Sequence, residues 1–558
     1  MSLRPRRLAF VAGLGMVAAL IAAPLTAIAA PAAPLAPAST VNVAVVVPLS
    51  VPGGREGYLD AVTLEGYTEA GGLLARELDA LIGSPVAIGI DPMILASIRL
   101  LGSSAPDSAL AWLERLRAAD NDTFALTYGD SDLTLGLQAG SATVLAPTSF
   151  AYAIDSSLFT VPDPASTPDP AVTPAPDEPP LLPTSANLLD WAYTLESIAW
   201  PQPSTTTTAD LEKLTAAEYG ATILNSGNLK RTPAGAAHVT VGGGSAIVTD
   251  DALSALLGAT LRAQSATEWQ DAFATLSTGL QSVQGRGASG RASVVLAVGR
   301  AEFDTTSRLR STITALENVP SVVPTTLTGI LGEAPAAATL AEKPQPEVRT
   351  ELTASMLAAE KKDTAFSTVA ENPALITGDR RLRMLATLAP QWNRYPGGWG
   401  NEVARYLEGS ERLRASVRLS DSSDLIFGDR GSLPIYVTND LTQPVTVYIV
   451  VDPLTPLLTV EDSRFELMIE PGSNRRAAVP AVARSNGLVN LEVSLHTATG
   501  NAIGTTSTVT TNVQAGWETP IIGALALLVF GTFGFGIFRT IKRRRQQRLP
   551  VTDVADAS

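Results

Sequence analysis

The sequence predicts a multidomain chain: a (β/α) barrel of irregular outline, a helical extension, an immunoglobulin-like β-sandwich and a single C-terminal transmembrane helix. Three observations carry this expectation. Short apolar runs alternate with longer amphipathic stretches over residues 41–335, and the period changes to two from Arg414. An uncharged run from Thr519 to Phe538 then ends in Arg539, Lys542, Arg543, Arg544, Arg545 and Arg548.

Residues 1–30 read as a secretory signal peptide. Arg4, Arg6 and Arg7 precede the apolar stretch Leu8 to Leu25, and Ala27-Ile28-Ala29 supplies small residues at a cleavage position. The apolar runs follow: Val43 to Val47, Val86 to Ile90, Phe124 to Tyr128, Ala142 to Leu145, Ser197 to Trp200, Ala221 to Leu224, Ser245 to Val248 and Ser293 to Val298. Continuous apolar runs suit strands buried on both faces of a parallel sheet. Stretches such as Asp107 to Ala119 and Thr208 to Tyr219 have the leucine spacing of crossover helices. About eight such units point to a barrel over residues 41–346, with an open doubly wound sheet as the alternative. Val161 to Pro183 holds nine prolines, which remove backbone donors and block helix, so residues 161–183 read as an insertion within that domain.

Residues 347–413 show helical spacing at Leu352, Met356 and Leu357, at Leu382 and Leu385, and at Val403, Tyr406 and Leu407, interrupted around Tyr395 to Gly398. Residues 414–515 read as the sandwich, with alternating runs at Ile435 to Thr438, Val445 to Val450 and Leu491 to Leu495 and turn signals at Asn439-Asp440 and Pro471-Gly472. Residues 519–538 match the roughly 20 residues needed to cross a hydrocarbon core of about 30 Å. The basic residues after them mark residues 539–558 as a cytoplasmic tail, which puts everything between the signal and the span outside.

Charge and composition limit the function. The chain carries 40 basic and 54 acidic residues. Three arginines lie in the signal, and six basic and two acidic residues in the tail, which leaves 31 against 52 in the exported part. Such an acidic surface repels nucleic acid, so none is expected as a partner. Without cysteine there is no disulfide, thiol catalysis or cysteine-ligated metal. Only His238 and His496 are present, and no loop has the ligand spacing of an EF-hand, so neither a metal site nor a cofactor is expected.

In a parallel barrel the working face is the C-terminal end of the strands. The residues placed there are Asp91, Asp130, Asp132, Trp200, Asn225, Asp250 with Asp251, and Arg300. Asp91 and Asp130 are the catalytic candidates, because two carboxyls across one cleft can act as acid and nucleophile on a sugar bond. Trp200, Asp132, Asn225, Asp250 and Arg300 are binding candidates, Trp200 as a stacking platform. A competing assignment is structural: Asp at the end of a βα loop is also the ordinary helix N-cap. Gly285-Arg286-Gly287-Ala288-Ser289-Gly290 matches a dinucleotide fingerprint literally, but it follows a helical stretch and leads into a strand, the reverse of what that motif requires.

Ile88-Gly89-Ile90-Asp91-Pro92, Ala111-Trp112-Leu113, Thr127-Tyr128-Gly129-Asp130-Ser131-Asp132-Leu133, Ile198-Ala199-Trp200-Pro201 and Gly431 to Asp452, together with the anchor, resemble a membrane-anchored ectodomain family of high-GC Gram-positive bacteria. That resemblance implies a glycoside hydrolase/deacetylase-type barrel joined to a β-sandwich, encoded near the lipid II flippase. Only Asp91, Asp130, Asp132 and Trp200 carry over as matching positions. The His-x-x-x-His ligand set of metal-dependent deacetylases is missing here. The expected function is a non-catalytic, membrane-anchored ectodomain that binds cell-wall glycan or scaffolds peptidoglycan-synthesis proteins; the alternative is a carboxylate-based glycoside hydrolase acting on a wall polysaccharide.

Overall fold

The computed structural model describes residues 40–159, 181–231, 235–287, 292–300, 307–420, 425–427, 430–462, 464–513 and 518–546. The expected signal peptide, most of the Pro-rich run and the tail beyond Gln546 lie outside the described residues.

The first sheet is built from β1 (Val41–Leu49), β2 (Val86–Ile90), β3 (Thr123–Ala125), β4 (Ile198–Ala199) and β5 (Ala221–Asn225). After β6 (Leu229–Arg231) come β7 (His238–Val241), β8 (Gly244–Thr249), β9 (Ala292–Ala297), β10 (Val322–Pro324), β11 (Ala336–Ala337) and β12 (Thr339–Leu340). Parallel pairings run in the order β4-β5-β8-β9-β1-β2-β3. β10 also lies parallel to the start of β1. β7 joins β8 as an antiparallel hairpin through Gly242 and Gly243, both at positive φ, where a side chain would strain the backbone.

β1 is buried along almost its whole length, as a strand covered on both faces must be. Val43, Val45 and Val47 belong to a core shared with the surrounding helices, among them Leu78, Leu113 and Leu257. Ala44 and Val46 point the other way, into a cluster with Ala87, Phe124, Ile198, Ile223, Ile247 and Val295, one contribution from each of the other six strands. Leu195 N–H, three residues before β4, donates to Thr123 O at 2.9 Å, at the start of β3.

One strand expectation fails, and short strands appear where none was expected. Ala142 to Leu145 forms no strand: Ser141 turns back, its N–H to Gly136 O and its hydroxyl to Thr143 O, while Val144 and Leu145 pack sideways against helices. Two parallel strands go unforeseen: β10, which begins two residues after Pro320 and ends on Pro324, and the two-residue β11, each too short to show a period.

The helices Glu347–Ser367, Pro373–Thr387 and Pro396–Ala415 stand between this sheet and the next pair. Leu382 and Leu385 enter the core around β1. Met356, Met384, Leu388, Trp399 and Val403 pack on one another and on Leu135, while Phe366, Val369, Ala370 and Ile376 enter the following core. Asp363, buried between the helices, is held by Arg380, Ser410 and Arg414.

A sheet of β13 (Val417–Leu419), β15 (Arg430–Asn439), β19 (Ser473–Ala483) and β17 (Leu458–Val460) faces one of β14 (Leu425–Phe427), β21 (Ala502–Val513), β20 (Gly487–His496), β16 (Val445–Pro453) and β18 (Arg464–Ile469). Alternate residues of β16 and β20 are buried. Both sheets feed one core, through Leu433, Ile435 and Val479 from the first and Val447, Ile449, Val489, Leu491 and Val493 from the second. A final helix, Glu518–Gln546, contains the expected apolar run and continues beyond Phe538 into the basic residues.

Candidate functional site

The residues following the parallel strands do converge, but most of them are held by other parts of the fold. Asp91 follows β2 and caps the helix Pro92–Leu100: its Oδ1 accepts from Met93 N–H at 2.8 Å and from Gly129 N–H at 2.9 Å. It is 0% exposed, and its Oδ2 has no partner among the described residues. Burial pushes its carboxyl well above the usual carboxylate range, against the pull of the Met93 N–H, and Asp130 adds to the rise.

Asp130 lies across the sheet's C-terminal end from Arg300, which follows β9. Its Oδ1 accepts from Arg300 Nε at 2.8 Å and its Oδ2 from Ser50 Oγ at 3.3 Å, Ser50 following β1. Burial raises the Asp130 carboxyl while the Arg300 guanidinium holds it down. Arg300 also donates to Trp200 O at 2.7 Å and lies over the Trp200 ring, 4.4 Å from its centre. The same ring packs against Phe124. Trp200 is therefore 7% exposed, and the stacking face expected of it is covered by the guanidinium. Asp132 caps Leu133–Gln138 through Thr134 N–H and accepts from Gln345 Nε2.

Beside the Asp130–Arg300 pair opens a cavity of about 430 Å³, lined by the ends of β4, β5, β8 and β9 and by the segment Pro390–Arg394. Asn225, Asn228, Thr249, Asp251, Ser254 and Arg394 are among its polar groups. Asp250 and Asp251 divide the two roles between them. Asp250 caps Asp251–Leu261 through Leu253 N–H, whereas Asp251 lines the cavity and accepts from Asn225 Nδ2 at 2.8 Å and Gly227 N–H at 3.1 Å. Asn225 Oδ1 in turn accepts from Ser204 N–H. Gly227 has no room for a side chain, since a Cβ there would sit 2.8 Å from an Asp251 oxygen.

The structure thus brings Trp200, Asn225 and Arg300 to one cavity, places Asp130 behind Arg300, and leaves Asp91, Asp132 and Asp250 as caps. Sequence reasoning missed Ser50, Asn228 and Arg394. Arg394 comes from a helical segment with no link to any strand end, so only the packing of that segment over the sheet could have revealed it. Among the described residues no group of three or more His, Cys, Asp or Glu could hold a metal ion.

Solved structures similar to this chain include the α-amylase AmyC from Thermotoga maritima, at 8% identity and a TM-score of 0.41 over 68% of this chain and 93% of that one. A 4-α-glucanotransferase from Thermococcus litoralis is similar at 10% identity and a TM-score of 0.38, over 82% of this chain and 87% of that one. No curated protein sequence matches. One family model spans nearly the whole sequence, residues 17–556, and by that match the chain belongs to DUF6049, a family of unknown function.

Proposed function

We propose that the chain is a single-pass membrane protein of the cell envelope of a high-GC Gram-positive bacterium, its N-terminal part outside and its tail cytoplasmic. In this reading residues 41–346 form an irregular barrel that binds wall glycan or scaffolds peptidoglycan-synthesis proteins without turning over substrate. The immunoglobulin-like sandwich of residues 414–515 is its spacer above the membrane.

One observation carries the non-catalytic reading: at the sheet's C-terminal end Asp130 is neutralised by Arg300, so the groups best placed for acid–base work hold each other. The adjoining cavity offers amides, hydroxyls, the guanidinium groups of Arg300 and Arg394 and one carboxylate, Asp251, a set suited to sugar hydroxyls. Full-length protein in detergent should retain wall-glycan fragments on a column, and Asn225→Ala with Asp251→Ala should weaken retention at least about tenfold, the worth of one or two hydrogen bonds to a sugar. Retention equal to that of an unrelated acidic membrane protein would sink the proposal.

The glycoside hydrolase reading has one observation in its favour. The Asp91 Oδ2, which has no partner among the described residues, belongs to a carboxyl that burial pushes well above the usual carboxylate range, the direction a general acid needs. Release of reducing ends from wall glycan that is abolished by Asp91→Asn would establish it and overturn the non-catalytic reading.

A further inference from the structure

A second cavity, of about 590 Å³, lies between the loop after β1 and the helices Pro373–Thr387 and Pro396–Ala415. Its charge runs against that of the chain. Arg55, Arg380, Arg383, Arg405 and Arg412 line it against Glu56, Asp379 and Glu402, in a protein where acids outnumber bases 54 to 40.

The five arginines are not equivalent. Arg380 is fully committed, to Asp363, Tyr406 O and the Ser410 hydroxyl. Arg383 is held by Asp379, Glu56 and the Arg55 carbonyl, whereas Arg405 pairs with Glu402 at a more exposed position, where such contacts are weak and exchangeable. Arg55 and Arg412 are exposed and have no ion-pair partner among the described residues. Two guanidinium groups without an ion-pair partner among the described residues and one exchangeable one thus border the same space.

The loop that carries Arg55 is fitted to this place. Gly57 sits at φ +78°, and a Cβ there would lie 2.5 Å from the Leu382 backbone; a Cβ on Gly53 would lie 2.9 Å from Ala386 Cβ. Tyr128 OH donates to Gly57 O at 2.8 Å. These contacts hold the loop against Pro373–Thr387, so Arg55 is presented from a braced turn. Trp392 adds an aromatic wall.

We propose that this cavity is a binding site for an oxyanion, phosphate or carboxylate. A guanidinium presents paired donors in the plane that both oxyanions accept, and several around one concavity favour a group with more than one charged oxygen. The surrounding acidic surface repels a long polyanion at a distance, so the site favours a short anionic segment. The proposal rests on the arginines alone and does not require a sugar in the first cavity.

The test titrates full-length protein in detergent with three short probes of equal length: a glycerol-phosphate oligomer, a uronic-acid oligomer and a neutral glucose oligomer. The expected result is saturable binding of at least one charged probe, weakened by salt and reduced roughly tenfold or more in Arg55→Ala with Arg412→Ala. The phosphate and uronate arms tell which oxyanion is preferred. Both substitutions are at exposed positions, and unchanged thermal unfolding shows that the fold is retained. Arg476→Ala, an exposed arginine on β19, controls for loss of charge alone. Failure of both charged probes to bind, binding equal to that of the neutral probe, or an equal loss in Arg476→Ala would each overturn the proposal. Should the double variant unfold, Arg55→Gln and Arg412→Gln separately decide the matter by the same comparison.

Discussion

Asp130 and Arg300 stand 170 positions apart in sequence and meet with both side chains 6% exposed. Removing one partner of such a pair strands the other charge away from water, which costs about 3–5 kcal/mol. Asp130→Ala should therefore lower the urea midpoint of the protein severely. Asp440→Ala, which breaks a pair with Arg418 that is about half exposed on both sides, should change stability by about 1 kcal/mol or less. Glu77 makes the opposite case. It is fully buried on the helix Leu73–Leu81, neither carboxyl oxygen has a partner among the described residues, and burial pushes its carboxyl well above the ordinary 4.5. A raised carboxyl contributes stability that is fully present below the unfolded value and is lost as pH rises through the folded one. Glu77→Met should stabilise the protein by about 1–3 kcal/mol near neutral pH, where the orphaned group is most costly. The gain in melting temperature over the parent should shrink as pH falls toward the ordinary carboxyl value of 4.5, and a gain independent of pH would contradict this assignment.

At the scale of elements, the same sequence signal served two purposes. An Asp immediately after an apolar run is what a catalytic strand end and a helix N-cap both look like, and Asp91, Asp132 and Asp250 are caps. Asp250→Ala should cost about 1 kcal/mol and Asp250→Asn nearly nothing, because the amide oxygen caps as well as the carboxylate; thermal unfolding of the two variants separates them. A cost for Asn equal to that for Ala would mean that the charge, and not the cap, matters. The strands themselves were legible where burial on both faces made the run continuous, as in Val86 to Ile90. Ala142 to Leu145 was apolar for a different reason, packing against helices without any ladder, and apolarity alone cannot separate the two. The partners of Asp130 and Asp251, and the gathering of Arg55 and Arg412 at one cavity, depend on how distant segments dock, which no local period records. Gly57 is an intermediate case: its glycine suggests a turn, but its reason lies in Leu382, and Gly57→Ala should be destabilising through both the positive φ and the 2.5 Å approach.

At the scale of the whole molecule, the helix Glu518–Gln546 sets the protein's surroundings. Its segment Ile521–Arg545 is 25 residues, about 37 Å of helix and more than the roughly 30 Å of a hydrocarbon core. Leu527, Phe530 and Phe533 are each 70% exposed or more, so no other described part of the chain covers them. An apolar surface this continuous fits a membrane anchor. Truncation after Val513 should move the protein from the membrane pellet to the soluble fraction, and retention in the pellet would mean that another segment holds it there. Orientation is the separate question, and the basic cluster after the span argues for a cytoplasmic C-terminus. Protease added to intact protoplasts should then remove the bulk of the chain and leave a small fragment carrying a C-terminal tag, whereas protection of the full-length chain would place the large domains inside.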